Sequence, residues 1–213
     1  HMWSGTIGID GSEGAGKTMF ICMVLDRMAT YFGKTIMTSS IQVTEYFRHK
    51  HDEADFTVLV KELIKAGLLA KKGTWDDEKI GKCRLKGVAW GVDEIHDWVY
   101  NRRPGKTEGV LLGKYLKLHR HFDALTIGGA PASNELDDKL WNNRCTHVCT
   151  AALDKTRPGW STVTVFNKRM GRITNVFHME HARWGKMFVS KNPVALLGDE
   201  MVISKEGEKG GGR

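Results

Sequence analysis

Residues 11–18 read GSEGAGKT, a complete match to the pattern G-x-x-x-x-G-K-[ST]. The pattern constrains the fold because it demands both a particular backbone and particular neighbours. Its glycines let successive N–H groups turn inward around an anion, and a helix that follows adds the positive end of its dipole. The flanks supply that context. Trp3–Asp10 (WSGTIGID) reads as a strand, and Lys17–Thr30 as a helix with apolar residues at helical spacing. We therefore assign Gly11, Ser12, Glu13, Gly14, Ala15, Gly16, Lys17, Thr18 and Met19 to the binding of a nucleotide. Lys17 is expected at the β- and γ-phosphates, and the Thr18 hydroxyl at Mg²⁺.

Such a loop serves kinases, switches and motors alike, so the remaining motifs must separate them. Gly87–Asp93 is an apolar strand of the buried kind, and it ends in VDEI. A carboxylate at the C-terminal end of a buried strand stands where α/β sheets bind their ligands. Asp93 is expected to complete the Mg²⁺ shell with Thr18, and Glu94 to orient and polarise a water. A kinase needs no such group, because its acceptor is a bound substrate. The competing reading of Glu94 is an acidic helix start that complements the dipole. Lys34–Ser39, between Lys17 and Asp93, is room for a complete strand, which suits the P-loop class with an extra strand between loop strand and acidic strand.

Elsewhere, Val43–Lys50 and Ala54–Ala70 read as helices and Lys71–Lys86 as an exposed loop. Leu111–Phe122 is a helix with an apolar stripe at Leu111, Tyr115, Leu118 and Phe122. Asp123–Gly128 and Arg144–Ala152 are strands, with a short helix, Glu135–Trp141, between them. Ser161–Phe166 and Arg172–Glu180 form a hairpin about Met170-Gly171. The expected fold is α/β: a P-loop NTPase of the additional-strand, catalytic-glutamate type. Its parallel central sheet carries helices on both faces and appended C-terminal antiparallel strands. One domain, 3–204, is expected, with His1-Met2 a tag scar and 205–213 a disordered glycine-rich tail that reads as a natural end.

The 213 residues carry 32 Lys+Arg against 25 Asp+Glu, a net +7, which favours polyanionic partners. No apolar run reaches the roughly 18 residues a membrane-spanning helix needs. Cys145, His147 and Cys149 alternate in an apolar run, where cysteine serves as a small buried hydrophobe rather than a metal ligand. The four cysteines form no C-x-x-C pair, and a reducing compartment is expected. The tryptophans are scattered and read as core or local packing. Candidate arginine fingers, which stabilise charge in phosphoryl transfer from a neighbouring subunit, are Arg102, Arg103, Arg120 and Arg144. The sequence does not choose among them.

The glycine loop near the N-terminus, VDEIHDW and a basic helix ending in LHRHFD together resemble the FtsK–HerA superfamily of P-loop ATPases. The likeness extends to viral genome-packaging ATPases and to zonula-occludens-toxin-like phage assembly ATPases. In that family an Arg-His pair closes the helix before the fourth core strand, here Arg120-His121. The following T-Q-x-P…D stretch corresponds to Thr126–Pro131 running into Asp137, and Trp184–Val194 resembles the closing segment of the phage group. One departure stands out. The family often carries a polar sensor at the tip of the fourth strand, and Gly128-Gly129 stands there instead, with Ser133 or Asn134 as candidate substitutes.

The resemblance implies an ATP-hydrolysing, Mg²⁺-dependent motor that translocates double-stranded DNA into a viral capsid. It also implies a pentameric or hexameric ring, a capsid or portal partner, and a place in the cytoplasm of a prokaryotic host or on the virion. The alternatives are a phage assembly or secretion ATPase, a non-translocating ATP-dependent assembly module, or a small-molecule kinase.

Overall fold

The apolar runs assemble into one sheet, and its strand order decides what meets at the glycine loop. The computed structural model describes residues 4–67, 77–98, 107–131, 136 and 141–189. In chain order the strands are β1 (Gly5–Asp10), β2 (Thr35–Ser39), β3 (His51–Glu53) and β4 (Val88–Val92). They continue with β5 (Leu125–Ala130), β6 (His147–Leu153), β7 (Trp160–Asn167) and β8 (Arg172–Glu180). In space the order is β3-β2-β4-β5-β1-β6-β7-β8. The pairs from β3 to β6 are parallel, and β6-β7 and β7-β8 are antiparallel, as expected for the appended strands. The strand between β1 and the acidic strand β4 is β5, contributed late in the chain. Lys34–Ser39, which lies between them in sequence, falls on the far side of β4 as β2.

Helices cover both faces. Alternation along β2 and β4 sends Met37, Val88, Trp90 and Val92 to one face, where α2 (Phe56–Lys65), α3 (Asp77–Gly81) and α4 (Thr107–Lys117) cover them. Ile36 and Ala89 face the opposite side with Ile9 and Ile127, under α1 (Lys17–Phe32). Cys145 belongs to the first cluster and Cys149 to the second, so they act as core residues on opposite faces. Trp90 and Trp141 are fully buried, whereas Trp75 lies outside the described residues.

Three local expectations fail for tertiary reasons. Val43–Lys50 forms turns instead of a helix, because Thr44 N–H donates to Met187 O and its hydroxyl to Lys186 O, while Val43 bridges Phe188. Within Lys71–Lys86, residues 77–81 form α3, with Ile80 and Leu85 buried; 71–76 lie outside the described residues. The Leu111–Phe122 stripe is buried as expected, but the helix breaks at Leu118 into α4 and α5 (His119–Phe122). The strand after it starts at Leu125, since Asp123 closes α5 in the left-handed conformation, and it runs on to Ala130. Of Glu135–Trp141 only Leu136 and Trp141 are described.

His119 ties the break at Leu118 to the sheet. Its ring nitrogens lie 3.1 Å from Thr6 Oγ1 on β1 and 3.1 Å from Thr126 Oγ1 on β5. Burial drives its pKa down to about 3. Above pH 6.5 His119 is neutral folded and unfolded alike and adds no pH dependence. Below 6.5 the unfolded chain gains a proton that the folded one refuses until about pH 3, so stability falls as pH drops across that window. The slope from this residue approaches about 1.4 kcal/mol per pH unit. Urea titrations from pH 7.5 to 4.5 are expected to show that slope in the wild type and a correspondingly flatter one in His119→Gln.

Candidate nucleotide site

The parallel strands end together at one edge of the sheet, and the chemistry-bearing residues collect there. Gly11, Gly14 and Gly16 take φ of 149°, 73° and 94°, conformations that side chains rarely adopt. Gly16 is the N-cap of α1, so the loop opens at the positive end of a sixteen-residue helix. Lys17 Nζ donates to Gly11 O at 2.7 Å and Ser12 O at 3.0 Å, which folds its ammonium over the loop.

Thr18 Oγ1 donates to Asp93 Oδ2 at 2.6 Å, so the loop hydroxyl and the β4 carboxylate converge although β5 lies between their strands. Burial raises the Asp93 pKa; the Thr18 hydrogen bond opposes this, Glu94 adds to it, and Lys17 lowers it. A half-buried carboxylate beside a hydroxyl, both hard oxygen donors, is the ligand chemistry that Mg²⁺ takes. Thr18 and Asp93 therefore fit the ion.

Glu94 stands at φ 58°, ψ 48°, a left-handed backbone for a residue with a full side chain. Such a conformation costs on the order of 1–3 kcal/mol and tends to persist where a functional geometry over-determines it. Its N–H donates to Asp93 Oδ1, and a 3-10 turn, Ile95–Asp97, follows at once. His96 Nε2 lies 4.0 Å from Glu94 Oε2 and 3.5 Å from Asp97 Oδ1. The carboxylates of Asp93 and Glu94 line an open cleft of about 390 Å³. Beyond the loop and the acidic pair, its walls come from Ser40–Gln42 after β2, Gly129–Pro131 at the end of β5, and Phe188–Val189. Val189 N–H donates to Gln42 O at 2.8 Å and joins two of these walls.

No protein-family model matches the chain, and no curated protein matches it. Solved structures do. The DNA-packaging ATPase B204 of Sulfolobus turreted icosahedral virus superposes with TM-score 0.55, 10% identity, over 81% of this chain and 96% of its own. The genome packaging NTPase B204 of Sulfolobus turreted icosahedral virus 2, in complex with ATP-gammaS, gives 0.52 at 8% identity over 81% and 96%. The KaiC-like protein PH0186 of Pyrococcus horikoshii OT3 gives 0.52 at 12% identity over 87% and 88%.

The chain has the fold of a P-loop NTPase. Two of these neighbours are packaging ATPases, the kind of protein that the motif resemblance named. The fold also explains Gly128-Gly129. The strand tip lies two residues further on, at Ala130-Pro131, and both glycines sit inside β5. A Cβ at Gly128 would stand 2.7 Å from the Trp141 ring, and one at Gly129 would stand 3.0 Å from Asp93 Oδ1. Their bare α-carbons leave room for Trp141 on one side and Asp93 on the other. Ser133, Asn134 and Asp137 lie outside the described residues.

Other assignments spread apart in this fold. Thr126 is buried against His119, away from the cleft. Arg120, in α5 before β5, and Arg144, before β6, sit at the opposite edge of the sheet from the loop. Arg102 and Arg103 lie outside the described residues. The sequence reading missed the pair beneath the loop: Ser161 on β7 and His181, at the start of α6 (His181–Trp184). Their Oγ and Nε2 are 2.7 Å apart and buried. A Cβ at Gly16 would meet Ser161 Oγ at 2.9 Å, and one at Gly11 would meet Ala151 O at 2.5 Å. The loop is thus wedged against β6 and β7, through contacts more than 130 residues apart in sequence that no local pattern encodes.

Gly16→Ala is therefore expected to abolish binding of a fluorescent ATP analogue. Gly33→Ala, at a left-handed helix end with nothing within 4 Å, is expected to keep it and lose about 1 kcal/mol in a urea melt.

Proposed function

We propose that this chain is an ATP-hydrolysing motor that translocates double-stranded DNA, acting in viral genome packaging into a capsid. The observation that carries the hydrolytic part is the Thr18–Asp93 hydrogen bond with Glu94 next to it, both in the lining of the cleft that the glycine loop borders. The fold shared with the B204 packaging ATPases supports the motor part, and the net charge of +7 suits a polyanionic track.

In this reading the loop's N–H groups and the α1 N-terminus receive the phosphates of ATP. Lys17 leaves the Gly11 and Ser12 carbonyls for the β- and γ-phosphates. Glu94 orients a water and accepts its proton as the γ-phosphoryl group passes to it, yielding ADP and inorganic phosphate. Mg²⁺ held by Thr18 and Asp93 would neutralise charge on the phosphate oxygens. A neighbouring copy in a pentameric or hexameric ring supplies an arginine. Arg102 and Arg103, close after the acidic turn in sequence, are the proposed source, because Arg120 and Arg144 stand at the other edge. A capsid or portal protein is the proposed partner, in the cytoplasm of a prokaryotic host or on the virion. Among the described residues no helix is long and apolar enough to cross a membrane.

Colorimetric phosphate release, with and without kilobase-length duplex DNA, tests this. The wild type is expected to hydrolyse ATP and to be stimulated by the duplex. Glu94→Gln is expected to bind ATP normally while its turnover drops by about 10²- to 10⁴-fold. Undiminished turnover in Glu94→Gln would sink the mechanism, and phosphate transfer to a nucleoside monophosphate would replace it with a kinase.

A further inference from the structure

The edge of the sheet remote from the cleft carries a row of cations. At the cleft edge, cations and acids are mixed: Glu13, Asp93, Glu94 and Asp97 stand with Lys17, and Lys155 and Arg157 lie in the β6–β7 turn. At the remote edge successive connections deliver cations: Lys86 before β4, Arg120 before β5, Arg144 before β6, and Lys168, Arg169 and Arg172 at the β7–β8 turn. The strand register fixes the turn there, because Asn167 pairs with His147 at the start of β6 and Arg172 pairs back with Asn167. Two acids on this side are engaged, Asp123 with Lys34 at 2.7 Å and Asp77 with His121 at 3.2 Å. Among the described residues no ion pair engages Lys168, Arg169 or Arg172, and Lys168 Nζ donates to Asn142 O at 2.7 Å.

The turn is also built to project. Residues 168–173 are all exposed, and a register irregularity between Val165 and Phe166 offsets the outer end of the hairpin. Apolar side chains accompany the charges: Phe166, Met170 and Ile173 are 38%, 60% and 57% exposed. A two-stranded ribbon of this kind fits the duplex major groove, where apolar atoms meet thymine methyls and cations meet flanking phosphates. From β4 to β8 the row spans five strand spacings, roughly 24 Å at about 4.8 Å each. A duplex lying along it presents on the order of 14 negative charges.

We propose that this remote edge is a duplex-DNA-binding face, with the β7–β8 turn as its projecting element and Arg120 and Arg144 as phosphate contacts. It rests on the DNA-motor reading above and names the surface that reading lacks. A second copy of the chain is the weaker occupant, since two such edges meeting face to face would set cation against cation.

The test uses the full chain and a fluorescein-labelled 30-base-pair duplex in anisotropy titrations from 50 to 300 mM NaCl. Lys168→Gln/Arg169→Gln/Arg172→Gln, which changes only exposed residues, is expected to weaken binding at least tenfold at 100 mM NaCl. Its log K against log[NaCl] slope should be shallower by about 2 to 3, near one for each phosphate left without its cation. ATPase without DNA and the thermal melt are expected to stay unchanged. Wild-type binding that the triple variant retains in full overturns this face and leaves the motor reading intact. A wild type that binds no duplex at 50 mM NaCl overturns the DNA reading itself. If Met170→Asp/Ile173→Asp dissociates an oligomer in sedimentation velocity while DNA affinity holds, the turn is a contact between copies and the proposal fails.

Discussion

The hydrogen bond from Thr18 to Asp93 depends on how closely α1 can approach the sheet, and two glycines, Gly91 and Gly129, set that distance. A Cβ on Gly91 of β4 would stand 2.7 Å from Ile21 and Leu25 of α1. One on Gly129 of β5 would crowd both Asp93 and Ile21, and one on Gly128 would crowd Trp141 and Ile95 on the other face. With these positions bare, α1 settles onto β4 and β5, and Thr18 spans the intervening strand to reach Asp93. Interiors pack too tightly to absorb an extra methyl group at several such points without moving backbone. The Thr18–Asp93 geometry is therefore a property of helix-on-sheet packing more than of the loop alone.

The loop has a second dependence, on the antiparallel strands. Gly11 lies against Ala151 of β6 and Gly16 against Ser161 of β7, and His181 closes the pair from the start of α6. The chain then passes through a 3-10 turn, Gly185–Met187, to Phe188 and Val189, which pair with Val43 and Gln42 and form a wall of the cleft. The appended strands thus buttress the loop from below and close the site from the side.

Legibility in the sequence follows the range of the interactions. GSEGAGKT and VDEI could be read because each places its own chemistry within a few residues, and the buried strands because a continuous apolar run has few other fates. The stripe Leu111–Phe122 was legible for the same reason. Val43–Lys50 was not, since its helical spacing is overruled by backbone bonds to residues 186–189. The Ser161–His181 pair was invisible, because a serine in a strand and a histidine at a short helix carry no signal until the fold joins them. The packing role of the β5 glycines was not legible either, because the room they leave for Asp93 and Trp141 depends on residues brought alongside only by the fold.

β7 gives the molecule a through-line between its two edges. It begins at Trp160, followed by Ser161, which packs on the loop, and ends at Asn167, where the basic turn starts. Eight residues of strand cover about 26 Å, so the span is set by covalent geometry rather than by soft contacts. Coupling between sites needs an element with two arrangements whose balance both sites bias. Most of this strand is paired on both sides and has little of that freedom. The irregularity at Val165/Phe166 is different, because there the ladder is already interrupted and twist can change at little cost in hydrogen bonds. Any mechanical link between a ligand in the cleft and a polyanion at the remote edge therefore concentrates at this point of the hairpin, with Ser161 fixing one end and Arg172 carrying the load at the other.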